Sequence, residues 1–133
     1  MKINDYVLKF NKEFYQPIDD RSKESTIRKN SKPINIGDYV VAYFPELKQG
    51  LLLRITEHYA KKLKELSYIE ATCEGYCHKD LLIHAIKNIY PELKEDDYVH
   101  FYKFDRINNA GTETRMNDFL KEKGVKWAWI IFR

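Results

Sequence analysis

Gly37-Asp38-Tyr39-Val40-Val41-Ala42-Tyr43-Phe44-Pro45-Glu46-Leu47-Lys48-Gln49-Gly50-Leu51-Leu52-Leu53-Arg54-Ile55-Thr56 is the stretch on which the fold turns. After the Gly37-Asp38 turn signal, residues 39–44 are almost wholly apolar, which predicts a strand buried on both faces. Pro45 to Gly50 is short enough to be a turn, and Leu51 to Thr56 is a second apolar run. Two such runs around so short a loop predict a β-hairpin.

Toward the N-terminus, Tyr6 to Phe10 reads as a first strand. Phe14, Tyr15 and Ile18 share one helical face, in a helix whose length Pro17 limits. Residues 25–28 read as extended, so Thr26 and Arg28 project together while Ile27 turns into the core.

Toward the C-terminus, Thr56 is expected to cap a helix from Glu57 to about Leu66, with Tyr59, Leu63 and Leu66 inward and Lys61, Lys62 and Lys64 in water. A second helix is expected over Lys79–Ile89, where Leu81, Leu82, Ala85, Ile86 and Ile89 form an apolar stripe, and Pro91 closes it. Tyr98 to Phe104 alternates as a strand, with Val99 and Phe101 opposite His100, Tyr102 and Phe104. Thr112 is expected to cap a short helix carrying Met116, Phe119 and Leu120 and ending near Gly124. The run from Val125 to Phe132 reads as a closing apolar strand with Trp127 and Trp129 in the core. Strands and helices interleave irregularly and no glycine-rich phosphate loop is present, so the fold class is α+β, a small mixed β-barrel rather than a parallel nucleotide-binding sheet.

The chain has 133 residues, a length that predicts one domain with a full core. Aromatic residues make up 14% of it, ten of them Tyr, a surplus available to a core or to base-stacking surfaces. No apolar run reaches the roughly 18 residues of a membrane span, and Lys2, Asn4 and Asp5 occupy the place of a signal peptide's apolar region, so a cytoplasmic protein is expected. Cys73, Cys77 and His78 lack the fourth ligand of a structural zinc site, so neither a metal nor another cofactor is expected. The net charge is only +3, yet Arg21, Lys23, Arg28, Lys29 and Lys32 face a single acid, Glu24, between residues 21 and 32. Such a cluster is either a solvated loop or a field that attracts phosphates.

Three pieces occur in an order that resembles an ASCH domain of the PUA-like superfamily. They are Lys23-x-x-Thr26-x-Arg28 after a short helix, Gly37-Asp38 opening an apolar strand, and Glu74-Gly75-Tyr76 followed by a helix, Ile89-Tyr90-Pro91 and a strand ending at Phe104. The likeness covers about residues 5–106 of the single domain and leaves 107–133 as a helix-strand extension. Within the superfamily the chain is most similar to small bacterial amidohydrolases that deacetylate N(4)-acetylcytidine. That likeness implies a catalytic Lys23, Thr26 and Glu74, with Arg28 as the arginine after the threonine. One departure is Arg21, at a position where such domains often carry glycine.

The chemistry asks for an activated nucleophile and a proton donor, because an amide carbon is a poor electrophile and its nitrogen a poor leaving group. Thr26 is unreactive alone and Lys23 is a base only when neutral, so burial and Arg28 must outweigh a nearby Glu74 carboxylate. Two function classes therefore stand side by side. One is an amidohydrolase acting on an N-acylated cytidine. The other is a non-catalytic domain, RNA-binding or regulatory, with a vestigial pocket. In the binding reading Arg21, Arg28 and Lys29 contact phosphates while Tyr39, Tyr43 or Tyr76 stacks on a base. Partners are expected to be RNA or a nucleoside or nucleotide, with no membrane, and the chain a monomer or weak dimer.

Overall fold

Apolar alternation builds one mixed sheet in the computed structural model, which describes residues 2–131 and side chains as far as Lys123. Its strands are β1 (Ile3–Lys9), β2 (Ser25–Arg28), β3 (Tyr39–Phe44), β4 (Gln49–Lys62) and β5 (Tyr98–Ile107). The helices are α1 (Tyr15–Asp19), α2 (Tyr68–Glu74), α3 (Lys79–Ile89) and α4 (Ala110–Ile131), with 3-10 turns at Lys12–Phe14 and Leu63–Glu65. The strand order is β1-β3-β4-β5-β2, with β1 parallel to β3 and the other pairs antiparallel. An α+β fold with a mixed sheet is thus as expected. The barrel is not closed: β1 and β2 are the two edges, and no ladder joins them among the described residues.

The predicted hairpin forms, with Val40 opposite Leu53 and Ala42 opposite Leu51. Period-2 alternation then sorts its side chains. Val40, Ala42, Phe44, Leu51, Leu53 and Ile55 face one way, joining Leu8, Phe10, Ile18, Tyr102 and Phe104 in the main core. On the reverse face two helical layers divide the sheet. The first turns of α4 cover Val41 and Leu52 with Met116, Phe119 and Leu120, while α2 and α3 cover Ile27, Val99 and Phe101 with Ala71, Leu82 and Ile86. Both faces of β3 are therefore buried, as its composition requires.

Residues 57–62 are not the expected helix but the second half of β4. Glu57 to Lys62 pair residue by residue with Lys103 to Tyr98 of β5, and the Tyr59 ring stacks on Phe101 with centroids 4.8 Å apart. An available partner strand outweighed a modest helical pattern. Thr56 is the extra residue where the register shifts between Ile55 and Glu57, a bulge rather than a cap. Leu63 and Leu66 are buried as expected, although on a 3-10 turn.

Helix α3 has the predicted bounds. Helix α2 has no counterpart among the sequence expectations, although its signature is complete: Ser67 accepts from the Ile69 amide, Glu70 reaches back in a capping box, and Gly75 closes the end at φ 91°. Helix α4 runs as far as Ile131, so the closing strand expected over 125–132 is helix as far as residue 131, and Phe132 lies outside the described residues. The side chains from Gly124 onward, Trp127 and Trp129 included, lie outside the described residues.

Candidate functional site

The gap between the sheet edges β1 and β2 is a pocket of about 510 Å³. The end of β1 contributes Lys9, Phe10 and Asn11, and the next turn contributes Phe14. Strand β2 gives Thr26, Ile27 and Arg28, α3 gives Leu82 and Ile86, and Tyr76 and Tyr90 flank α3. Lys23 and Glu74 complete the wall.

Three backbone features set this geometry. After α1 the chain turns through Arg21 at φ 67°, a left-handed conformation that favours glycine, and the Arg21 guanidinium donates to the Arg106 carbonyl at 3.0 Å. Arginine here adopts the conformation that glycine would take at lower cost, so the departure noted in the sequence leaves the turn in place. Next, the Glu24 amide donates to the Cys73 carbonyl at 2.7 Å, which ties the start of β2 to the last turn of α2. Finally, Gly75 ends α2 beside the Ser22 carbonyl, where an added Cβ would sit 3.4 Å from that oxygen. Lys23 and Glu74 are thereby brought face to face, and Tyr76 is directed to the pocket.

Lys23 Nζ lies 3.2 Å from Glu74 Oε1, and both residues are buried, 7% and 9% exposed. The Lys23 amine also sits 5.2 Å from the Phe14 ring centre. Ser25 Oγ donates to Glu74 Oε2, so the carboxylate is held at both oxygens. Thr26, 4% exposed, accepts a hydrogen bond at Oγ1 from Arg28 Nε at 3.0 Å. Arg28 Nη2 donates to the Lys9 carbonyl at 2.9 Å, so this side chain spans the gap between the two sheet edges. Its guanidinium carbon stands 4.8 Å from the centre of the Phe10 ring. Burial pulls the Arg28 pKa below its ordinary value, opposed by Tyr90, Tyr6, Glu74 and Tyr102. Arginine nevertheless keeps its charge, so the direction measures how poorly this cation is solvated. Burial, and then the nearby Glu74 charge, push the Tyr76 hydroxyl up, which keeps it a neutral donor facing the pocket.

The structure therefore brings together Lys23, Thr26, Arg28, Glu74 and Tyr76. It does not bring the other named residues to this pocket. Tyr39 and Tyr43 alternate with Val40 and Ala42, which sends them to the reverse face beneath α4. Arg21 lines a separate small cleft with Asp105 and Arg106. Lys29 is a surface residue paired with Glu92 at 2.6 Å. The basic run of residues 21–32 is thus dispersed by the turn and by strand alternation, and it does not form one patch. Sequence reasoning missed Ser25, whose hydroxyl holds Glu74, and the ring-lined wall of Phe10, Phe14 and Tyr90. Strand alternation placed Ser25 with Ile27 on the α2 side, a usable signal once α2 is known. Among the described residues no three His, Cys, Asp or Glu side chains gather as metal ligands: Cys73 is buried and Cys77 is exposed. No described helix is long and apolar enough to cross a membrane.

No protein-family model and no curated protein matches this chain. Solved structures do. The ASCH domain from Lactobacillus crispatus superposes with a TM-score of 0.60 at 17% identity, covering 68% of this chain and 68% of that one. The ASCH protein from Zymomonas mobilis superposes with a TM-score of 0.61 at 13% identity, covering 89% of this chain and 77% of that one. At such identities the likeness is one of fold. These superpositions show that this chain has the fold of the ASCH domains.

Proposed function

We propose that this chain takes an N-acylated cytidine into the pocket between β1 and β2 and hydrolyses its amide. The observation that carries the reading is that Lys23, Thr26 and Glu74 all line one pocket, with the amine 3.2 Å from the carboxylate. Each has a role the chemistry requires. Transfer of one proton from the Lys23 ammonium to the Glu74 carboxylate it touches gives the free amine and the carboxylic acid that the reaction needs. The amine takes the Thr26 proton as Oγ1 attacks the amide carbon. The acid returns its proton to the exocyclic nitrogen as the carbon–nitrogen bond breaks, and water then hydrolyses the threonyl ester to acetate. Arg28 orients Oγ1 through its Nε bond. Phe14, Tyr76 and Tyr90 offer flat walls for a base, with stacking worth about 1–3 kcal/mol per base.

A second reading is a domain that binds RNA or a nucleoside without catalysis. It is favoured by the resting hydrogen bonds: Thr26 Oγ1 engages Arg28, and Lys23 is held by Glu74. The two part on one substitution. Thr26→Val keeps the shape of the side chain and removes the nucleophile. Purified wild-type protein is expected to release acetate from N(4)-acetylcytidine and the valine variant to fall to the background rate. Turnover by the variant equal to wild type would remove Thr26 as nucleophile, and release by neither protein would leave the binding reading.

A further inference from the structure

Arg28 is a half-buried cation whose hydrogen bonds go to neutral partners. Its Nε reaches the Thr26 hydroxyl and its Nη2 reaches the Lys9 carbonyl, while the flat face covers Phe10. A guanidinium has five N–H donors, so further donors remain for a ligand. Among the described residues lining the pocket, Glu74 is the sole carboxylate, and its two oxygens are taken by Lys23 and Ser25. Lys23 and Glu74 cancel in charge, which leaves the Arg28 end of the pocket positive. A poorly solvated cation without a carboxylate in its bonds favours an anion placed against it. Asn11 stands at the same end, because it follows the Lys9 carbonyl that anchors Arg28, and its side chain makes no capping bond to the turn it precedes.

The geometry points to a phosphate subsite at Arg28 and Asn11, so that the ligand of this pocket is a nucleotide, a phosphate monoester, rather than a free nucleoside. This inference rests on the reading of the pocket as a nucleoside site. The base lies between the aromatic walls, its acyl amide meets Lys23, Thr26 and Glu74, and the phosphate reaches the end of β1. A bidentate guanidinium contact supplies the discrimination.

The test compares equilibrium binding of cytidine, cytidine 5′-monophosphate and inorganic phosphate to the wild-type chain by calorimetry. The monophosphate is expected to bind at least about tenfold more tightly than cytidine. That preference is expected to weaken with added salt and to vanish in Arg28→Met, which keeps an apolar stem over Phe10. Asn11→Asp, at an exposed position, sets a negative charge at the subsite and is expected to reduce the preference with the fold intact, which covers the case of an unfolded Arg28→Met. Cytidine bound as tightly as its monophosphate would overturn the phosphate subsite and leave the nucleoside reading. Inorganic phosphate bound as tightly as the monophosphate would overturn the nucleotide assignment. An Arg28-dependent preference in a chain that releases no acetate from either acetylated form would uphold the subsite and remove the amidohydrolase. Binding of none of the three would overturn both.

Discussion

Glu70 and Glu74 lie one turn apart on α2, both buried and each paired with a lysine, yet their surroundings assign them different work. Around Glu70 every bond is structural. Its Oε1 accepts from the Ser67 amide at 2.7 Å, the Ser67 hydroxyl at 2.9 Å and Lys61 Nζ at 3.1 Å, while Oε2 takes the Tyr59 hydroxyl at 2.7 Å. Glu70 thus closes the capping box of α2 and fastens it to β4. Glu74 is satisfied too, by Lys23 and Ser25, but its neighbours line a pocket. The lysines differ in the same sense: the Lys61 side chain is 34% exposed and that of Lys23 is 8%. A buried ion pair is therefore informative about function only through what else its members face.

Substitution should separate the two acids. The largest effect is expected on turnover: Glu74→Gln removes the proton acceptor of Lys23 and should lower acetate release about 10²–10⁴-fold. Glu70→Ala should instead cost about 3 kcal/mol in urea unfolding, as a cap and several bonds to a buried charge are lost together.

The acid response gives a further contrast. Burial works to raise the Glu70 carboxyl, but the bonds from Ser67, Tyr59 and Lys61 together hold it below its ordinary value. The unfolded chain then takes up this proton first as pH falls. Stabilisation by Glu70 is present above about pH 4.3, the unfolded value, and is lost as pH falls through the lower folded value. The stability difference between wild type and Glu70→Gln should accordingly shrink between about pH 6 and about pH 3 in urea titrations. A constant difference would show that the wild-type carboxylate contributes no more than a neutral amide.

The smallest effect concerns the other side of the sheet. Gly50 admits α4 so closely that an added Cβ would lie 2.9 Å from Leu120 Cδ1 and 3.0 Å from Val41 Cγ1. Leu120 can turn aside but the buried, β-branched Val41 cannot, so Gly50→Ala should cost about 1–2 kcal/mol of stability and leave the pocket unchanged. A loss of ligand binding in this variant would mean that the two sides of the sheet are coupled.

How far the sequence reaches is visible in the same elements. The hairpin, β2, β5 and α3 were legible because apolar period and punctuation agree there, and Pro91 and Gly37 mark their ends. Strand β4 beyond Thr56 was not. Its lysines fit a solvated helix face as well as a strand, and only the pairing with β5 decides between them. The site was half legible. Alternation correctly grouped Thr26 with Arg28, whereas Tyr39 and Tyr43 lie away from this pocket because the apolar run gives no sign of which face α4 covers. The open gap between β1 and β2 could not be read at all, since it depends on the order of strands rather than on any local signal.

The central claim is that Glu74 serves the chemistry of the pocket while Glu70 serves α2. Acetate release from N(4)-acetylcytidine, measured per folded molecule in Glu74→Gln and Glu70→Gln side by side, tests it most directly. Loss of release in the first and retention in the second is the predicted result. Equal release by Glu74→Gln and wild type would contradict it.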